Sequence, residues 1–486
     1  MSQEAAVDLT SILYWRNRMN GDNHPGKIPP KSVRLSRLTS ALFLTLVAST
    51  GAAQETPAPT GSANVHQQRE AVAKSEKIMG EAQKRNGLLA QYVFMRDAYK
   101  NSTDFAFRVI FNQYLSWYQT WVGDYVGARN SFSIVQKLAS DDAPSPLKEA
   151  GWEAENAVDA IASLAKGRKA VFFNENHSYP LTRTVTVQLL KKLREEGFDT
   201  FAAETLYQTD MDALPGRGYA IDETGFYTQE PIYSEMVHEA LKLGYRVVAY
   251  EALSDATADA RESEQAHNLK RDVFKDHKDA RLVVNAGYAH IQEHGKYLGG
   301  SSMAQHFARI TDIDPLTIEQ TMLIPHDKQA SDHPYYREVI KTLDPKQPIV
   351  FVGKKGEPWT LKKEAYDVSV FFPEQVLQRD RPTWLALGGL RVPFPVSGRM
   401  CDDAYPCMVE ARYEGEPDEA IPADRLVIEF KGRVTAYEDK LRMSSDPYPL
   451  SELWLRPGHY QMLVRNLDNQ IRYRQPIEVK PDGKNP

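Results

Sequence analysis

The pattern of apolar and polar positions changes character along the chain. Over residues 66–139 long side chains recur with few Gly or Pro, which predicts helices. Over about 154–372 short β-rich runs alternate with stretches of helical spacing. KAVFF (169–173), TFAA (200–203), RVVAY (246–250) and RLVVN (281–285) read as strands, and 347–352 and 368–371 as further ones. Residues 181–196, 234–243, 257–274 and a stretch around Met303 read as helices, the first two closing at Gly197 and Gly244. Such alternation predicts the α/β class, with a mostly parallel sheet flanked by helices. From about residue 391 the helical spacing stops. Alternating runs at 425–430 and 460–464, with a turn at Arg456-Pro457-Gly458, predict a small all-β sandwich.

These changes divide the chain. Residues 1–53 read as a leader, 54–64 as a Pro/Thr/Ser-rich linker, 65–150 as a helical region, 151–380 as the α/β domain and 385–486 as the sandwich. Within the helical region, Trp117, Trp121, a Gly123-Asp124-Tyr125 turn, Ala128 and Phe132 resemble one tetratricopeptide unit. A plain helical hairpin packed on the next domain reads equally well. In the leader, Lys31, Arg34 and Arg37 precede an apolar run, 38–47, and small residues Gly51-Ala52-Ala53. This is the layout of a secretory signal cleaved after Ala53, with a short amphipathic anchor as the other reading. The run is roughly half the ~20 residues of a spanning helix. The expected location is therefore exported, periplasmic or secreted. The length ahead of the basic residues suggests a true start at Met19 or later.

Composition adds exclusions. With 42% hydrophobic and 26% charged residues the chain is globular rather than disordered. A net charge of −6 offers no basic face for nucleic acid. A small-molecule or peptide substrate is expected instead, with a protein partner possible through the helical or sandwich region. The two cysteines, Cys401 and Cys407, are close enough to form a disulfide in an oxidising compartment, worth about 2 kcal/mol by loop entropy.

In open α/β sheets ligands bind beyond the carboxyl ends of the strands. Glu175 and His177 follow the first predicted strand, Glu204 the second, Glu251 the third, and Tyr288 and His290 the fourth. Two histidines and three acids at consecutive strand ends form a candidate site. A carboxylate near an imidazole orients it and raises its basicity. The same Glu175, His177, Glu204 and His290 would equally suit a divalent ion such as Mn, Zn or Co. On the helix before the fourth strand, Arg261, Gln265 and Asn268 share one face by i, i+4, i+7 spacing, with Glu262 beside them. Arg261 and Arg183 are candidate anion clamps. His294 reads as surface, and His238, His267, His326 and His333 as structural.

The stretch FFNENHSYPLTR…LLKKLREEGFDTFAAE resembles the first motif of the EreA/ChaN-like superfamily, which includes erythromycin esterases, haem-binding ChaN proteins and Tiki/TraB proteins. NAGYAHIQEHG resembles its second, Gly-x-x-His motif. RESEQAHNL resembles its Arg-Glu/Asp-x-x-Met-Ala-x-Asn stretch, with Gln265 where Met is usual. Asn174 stands where the first motif has glycine, and it is expected to tolerate the left-handed backbone. The resemblance covers about residues 154–372. It implies an ester or amide hydrolase in which His177 is the general base, Glu175 orients it, and Glu204 and His290 serve the second proton transfer or the tetrahedral intermediate. Arg183, Glu251, Arg261, Glu262 and Tyr288 would contact substrate. The resemblance also leaves open metal-dependent chemistry, haem binding, or a non-catalytic interaction protein.

Overall fold

The computed structural model describes residues 61–429 and 448–481. The expected leader, most of the linker and the question of the start residue lie outside the described residues.

Helices α1 (Gly61–Ala82), α2 (Leu88–Lys100), α3 (Phe105–Trp121) and α4 (Tyr125–Ser131) form the helical region. Asp104 caps α3 through the Phe107 N–H, and Asp124 caps α4 through the Gly127 N–H. Residues 133–139 are not helical. The short α4 makes this a hairpin, and its aromatic face is continuous with the core of the sheet. Phe107, Phe111, Trp117 and Trp121 belong to the same buried cluster as Phe173 and Phe201 of the sheet.

The α/β part opens with β1 (Trp152–Asn156), α5 (Ala157–Leu164) and β2 (Ala170–Glu175). Next come α6 (Thr184–Glu195), β3 (Thr200–Ala203), α7 (Pro231–Lys242), β4 (Arg246–Ala249), α8 (Ala258–Phe274) and β5 (Leu282–Gly287). The series ends with α9 (Met303–Thr311), β6 (Leu316–Glu319), α10 (Pro334–Leu343), β7 (Ile349–Gly353) and β8 (Val368–Ser369). Six strands form one parallel sheet in the order β4-β3-β5-β2-β6-β8. The α/β class with a mostly parallel sheet and flanking helices is thus observed. The run at 347–352 is a strand but leaves this sheet: β7 pairs antiparallel with β1. The four-residue β6, unexpected from sequence, takes the place beside β2.

Strand side chains alternate between faces. Val171 and Phe173 join the cluster that holds α6, α7 and the helical region, whereas Ala170 and Phe172 join the one that holds α8 and α9. Both faces are covered, so β2 and β5 are buried throughout. The chain starts at β2, runs outward to β3 and β4, and returns to lay β5 between β3 and β2. The carboxyl ends of β3, β5 and β2 therefore lie side by side.

The last part is all β. Its main strands are β9 (Val392–Ser397), β10 (Cys407–Tyr413), β11 (Asp424–Ile428), β12 (Leu450–Leu455), β13 (Gly458–Arg465) and β14 (Ile471–Val479). One antiparallel sheet holds β10, β11, β13 and β14, and another holds β9 and β12. Phe394, Val409, Leu453 and Val464 meet in the core between them, as expected of a sandwich. Cys401 and Cys407 are joined in a disulfide, Cα–Cα 5.7 Å.

Candidate active site

Each strand end delivers its side chain by a local device. Glu175 is the last residue of β2, and its register partner on β5 is Gly287. After β3 the chain turns sharply at Thr205 (φ 62°), and after β5 at Tyr288 (φ 42°). Left-handed backbone at such residues is uncommon and collects at functional sites. Asn174 differs from the expectation. It lies inside β2 with no positive φ. Its side chain ties two neighbouring strand ends together, donating to the Tyr288 carbonyl at 2.8 Å and accepting from the Gln320 N–H at 2.6 Å.

His177 is buried, and its Nδ1 lies 2.8 Å from Glu175 Oε1. An ionised carboxylate only accepts, so Nδ1 carries the proton and Nε2 is left as the basic atom. Nε2 faces Glu204 Oε2 at 3.8 Å. The ring stacks on Tyr227 (centroids 4.1 Å apart, planes at 15°) and meets the Tyr288 ring edge-on at 5.2 Å. A methyl group on Gly287 would sit 2.1 Å from Nε2 and 3.0 Å from Glu204 Oε2. The glycine of the second motif keeps this space open.

His290 repeats the arrangement from the other side. Its Nδ1 lies 2.7 Å from Glu262 Oε2, and its Nε2 lies 3.4 Å from Glu204 Oε1. Glu262 also accepts the Met303 N–H at 2.9 Å, which fixes it to the start of α9. Glu204 thus stands between the two imidazoles, with its Oε2 accepting the Gly287 N–H at 2.6 Å. Arg261 bonds Glu204 at 3.1 Å and grips Glu251 through Nε (3.0 Å) and Nη2 (2.9 Å). Gln265 donates to Glu251 at 2.9 Å and Asn268 to the Tyr250 carbonyl at 3.2 Å, so the shared helix face points inward as its spacing predicts.

Burial raises the Glu175 carboxyl, but the charge of Arg183 and the bond from His177 outweigh it and hold the group at about 2. Burial also raises Glu204. His290, His177 and Arg261 more than offset it, again leaving the carboxyl at about 2. Burial lowers His290, yet Glu262 and Glu204 together push it above its ordinary value.

Glu175, His177, Glu204, Glu251, Arg261, Glu262, Tyr288 and His290 are all brought together. The burial of Arg183 and Glu262 corrects two expected roles. Arg183 is fully buried and faces no substrate: Nε and Nη2 hold Glu175 and Nη1 holds Glu230 at 2.6 Å. Glu262 is fully buried behind His290 and orients it. Tyr288 is half-buried, packs against His177 and donates to Asn176 at 3.1 Å. Arg261 and Glu251 do border open space, a cleft of about 220 Å³ walled by Leu206, Tyr207, Ala252 and Leu253. Sequence reasoning missed Tyr227 and Glu230, which lie in the long connection after β3. It also missed Tyr297, whose ring meets His290 edge-on at 5.1 Å. Only the Glu230-Pro231 pair, a helix-start signal, marked any of them.

The residues present do not fit the divalent ion the motifs allow. Both oxygens of Glu175 face Arg183, and those of Glu204 face Arg261 and a backbone N–H. Among the described residues no group of three or more His, Cys, Asp or Glu is placed to hold a metal. Haem does not fit either. His290 Nε2 lies within 3.4 Å of Glu204, Arg261 and Tyr297, and the adjoining cleft is below the ~300 Å³ of ordinary ligand pockets.

No family model and no curated protein matches the chain. Among solved structures, one described as bacterial protein toxins is 16% identical over 60% of this chain and 75% of its own, TM-score 0.28. RRSP, a MARTX toxin effector domain from Vibrio vulnificus, is 15% identical over 62% and 76%, TM-score 0.28. The type III effector HopBA1 is 14% identical over 39% and 95%, TM-score 0.26. These likenesses are too distant to carry an argument about function.

Proposed function

We propose that the chain is an exported hydrolase of the EreA/ChaN-like type that cleaves an ester or amide bond. One observation carries this reading: two imidazoles, each backed by its own carboxylate, aim their Nε2 atoms at the two oxygens of Glu204. Under this proposal they take different roles. His177, oriented by Glu175, offers a basic Nε2. His290, between Glu262 and Glu204, is held toward the imidazolium. A base and an acid on either side of one carboxylate can serve the two proton transfers of hydrolysis.

In the proposed reaction a water gives its proton to His177 Nε2 and its oxygen attacks the carbonyl carbon. The tetrahedral intermediate collapses as His290 Nε2–H protonates the leaving oxygen or nitrogen. The proton on His177 then returns to solvent or to His290. Glu204 takes no proton; its charge favours imidazolium on either side. Arg261 holds Glu204 in place and forms, with Glu251, the floor of the cleft in which the rest of the substrate lies.

Purified protein assayed on a panel of carboxylic esters and peptides tests the reading. Turnover that is lost in both His177→Ala and His290→Ala supports it. Wild-type protein inert on every member, or turnover indifferent to both changes, overturns it.

A further inference from the structure

The helical region reaches the candidate base by two separate routes. The first is a chain of buried hydrogen bonds. Tyr125, the first residue of α4, donates its hydroxyl to Glu230 Oε1 at 2.8 Å. Glu230 caps α7, accepting the Ile232 and Tyr233 N–H groups, each at 2.8 Å. Its Oε2 also accepts Arg183 Nη1 at 2.6 Å. Arg183 in turn holds both oxygens of Glu175, and Glu175 holds His177 Nδ1. All five residues are buried to within 2%. The second route is aromatic. Trp117 and Trp121 of α3 pack edge-on against Phe226 at 5.3 and 5.1 Å. Phe226 packs on Tyr227 at 5.1 Å, and Tyr227 stacks on His177.

Such a chain has a directional logic. A guanidinium in the interior is held by the geometry of the carboxylates it faces. Glu175 holds one edge of the Arg183 fork through two bonds, and Glu230 holds the remaining nitrogen from the opposite side. Glu230 is itself pinned by two backbone N–H groups and one hydroxyl, and only the hydroxyl comes from outside the α/β part. The two routes act at right angles on the imidazole. One fixes it through Nδ1 in the ring plane, and the other through its face.

We infer that the helical region is a structural component of the active site, and that Tyr125 and Glu230 are positioning residues that set the orientation and tautomer of His177. This rests on reading His177 as the general base, yet the placement is measurable without any substrate. It also gives the region a role other than recruiting a partner. Neither residue touches reacting atoms. The groups facing His177 from every side are Glu175, Glu204, Tyr227 and Tyr288, with Arg183 behind Glu175. None of these residues is itself altered when Tyr125 or Glu230 is replaced.

The experiment compares wild type with Tyr125→Phe and Glu230→Gln by ¹⁵N-histidine NMR, together with kcat and KM wherever the panel finds turnover. Trp384→Leu is the packing control, because Trp384 touches the Tyr125 ring at 5.1 Å but lies off the hydrogen-bond chain. The wild-type His177 signals should report the Nδ1–H tautomer. Both variants should shift them toward a mixture, more in Glu230→Gln. kcat should fall on the order of 10-fold in Tyr125→Phe and 10²-fold in Glu230→Gln at nearly constant KM. Should Glu230→Gln fail to fold, Tyr125→Phe decides alone. Folded variants with wild-type His177 signals overturn the inference, as does an equal shift from Trp384→Leu. An inert wild type sinks the hydrolase reading and leaves this NMR comparison intact.

Discussion

Glu175 on β2 is the register partner of Gly287 on β5, so the two motifs end at the same level of the sheet and His177 Nε2 comes to rest over a residue without a side chain. The backbone of Gly287 is extended (φ −77°, ψ 144°) and would accept alanine without strain. The atoms nearest the added methyl would be Nε2 and Cε1 of His177 and Oε2 of Glu204.

Gly287→Ala should therefore fold at a cost of about 1–3 kcal/mol, since the buried imidazole must give way, while turnover falls on the order of 10²-fold as it swings out of line. Thermal unfolding and kcat/KM measured together check this. Full activity in a folded variant would show that Nε2 is not the reacting atom.

Replacing either histidine by alanine should lower kcat by about 10²–10⁴, the range for losing a general acid or base. Steady-state kinetics of the two single variants and the double variant test this. Because the two groups serve one turnover, the double variant should lose far less than the product of the single losses.

The alkaline side of the rate profile should belong to His290. Burial lowers this imidazole, but Glu262 and Glu204 outweigh it and raise it above 6.5. An acid must be protonated to act, so kcat should fall as pH rises through that raised value. Glu262→Gln removes the leading stabilising charge and should move the fall to lower pH. The pH dependence of kcat for the two proteins settles the point.

Acid should unlock the site. Glu175 and Glu204 are held at about 2, down from an ordinary 4.5. A depressed carboxyl contributes stability that is complete above 4.5 and is lost as pH falls toward 2. Melting temperature should drop between pH 5 and pH 3, and less steeply in Glu175→Gln. At pH 7 that variant leaves Arg183 paired with Glu230 alone and should lower stability, read from denaturant titration.

Reducing the bond between Cys401 and Cys407 should cost about 2 kcal/mol by the loop-entropy model. Turnover at temperatures below melting should not change, since the bridge joins a turn to β10 within the sandwich. Unfolding curves with and without reductant, alongside an assay, distinguish the two effects.

Much was legible along the chain because it is written in local patterns. Buried parallel strands read as apolar runs, so β2, β3, β4 and β5 could be found, and each ended in a polar residue that marked the candidate site. The Glu-x-His and Gly-x-x-His spacings named Glu175, His177 and His290 before any contact was known. What no local pattern encodes is which strands become neighbours. β5 enters between β3 and β2 although two strands and three helices separate it from β2 in the chain, and that placement makes Glu204 the common neighbour of both histidines. The same holds for Arg183, which reads as an exposed anion clamp until Glu175 and Glu230 close on it. Tyr125 and Tyr227 carry no motif at all. Hydrophobic periodicity reports the face each segment buries, whereas the partner of that face is chosen only when the sheet and its covering helices pack, and there the chemistry of the site was decided.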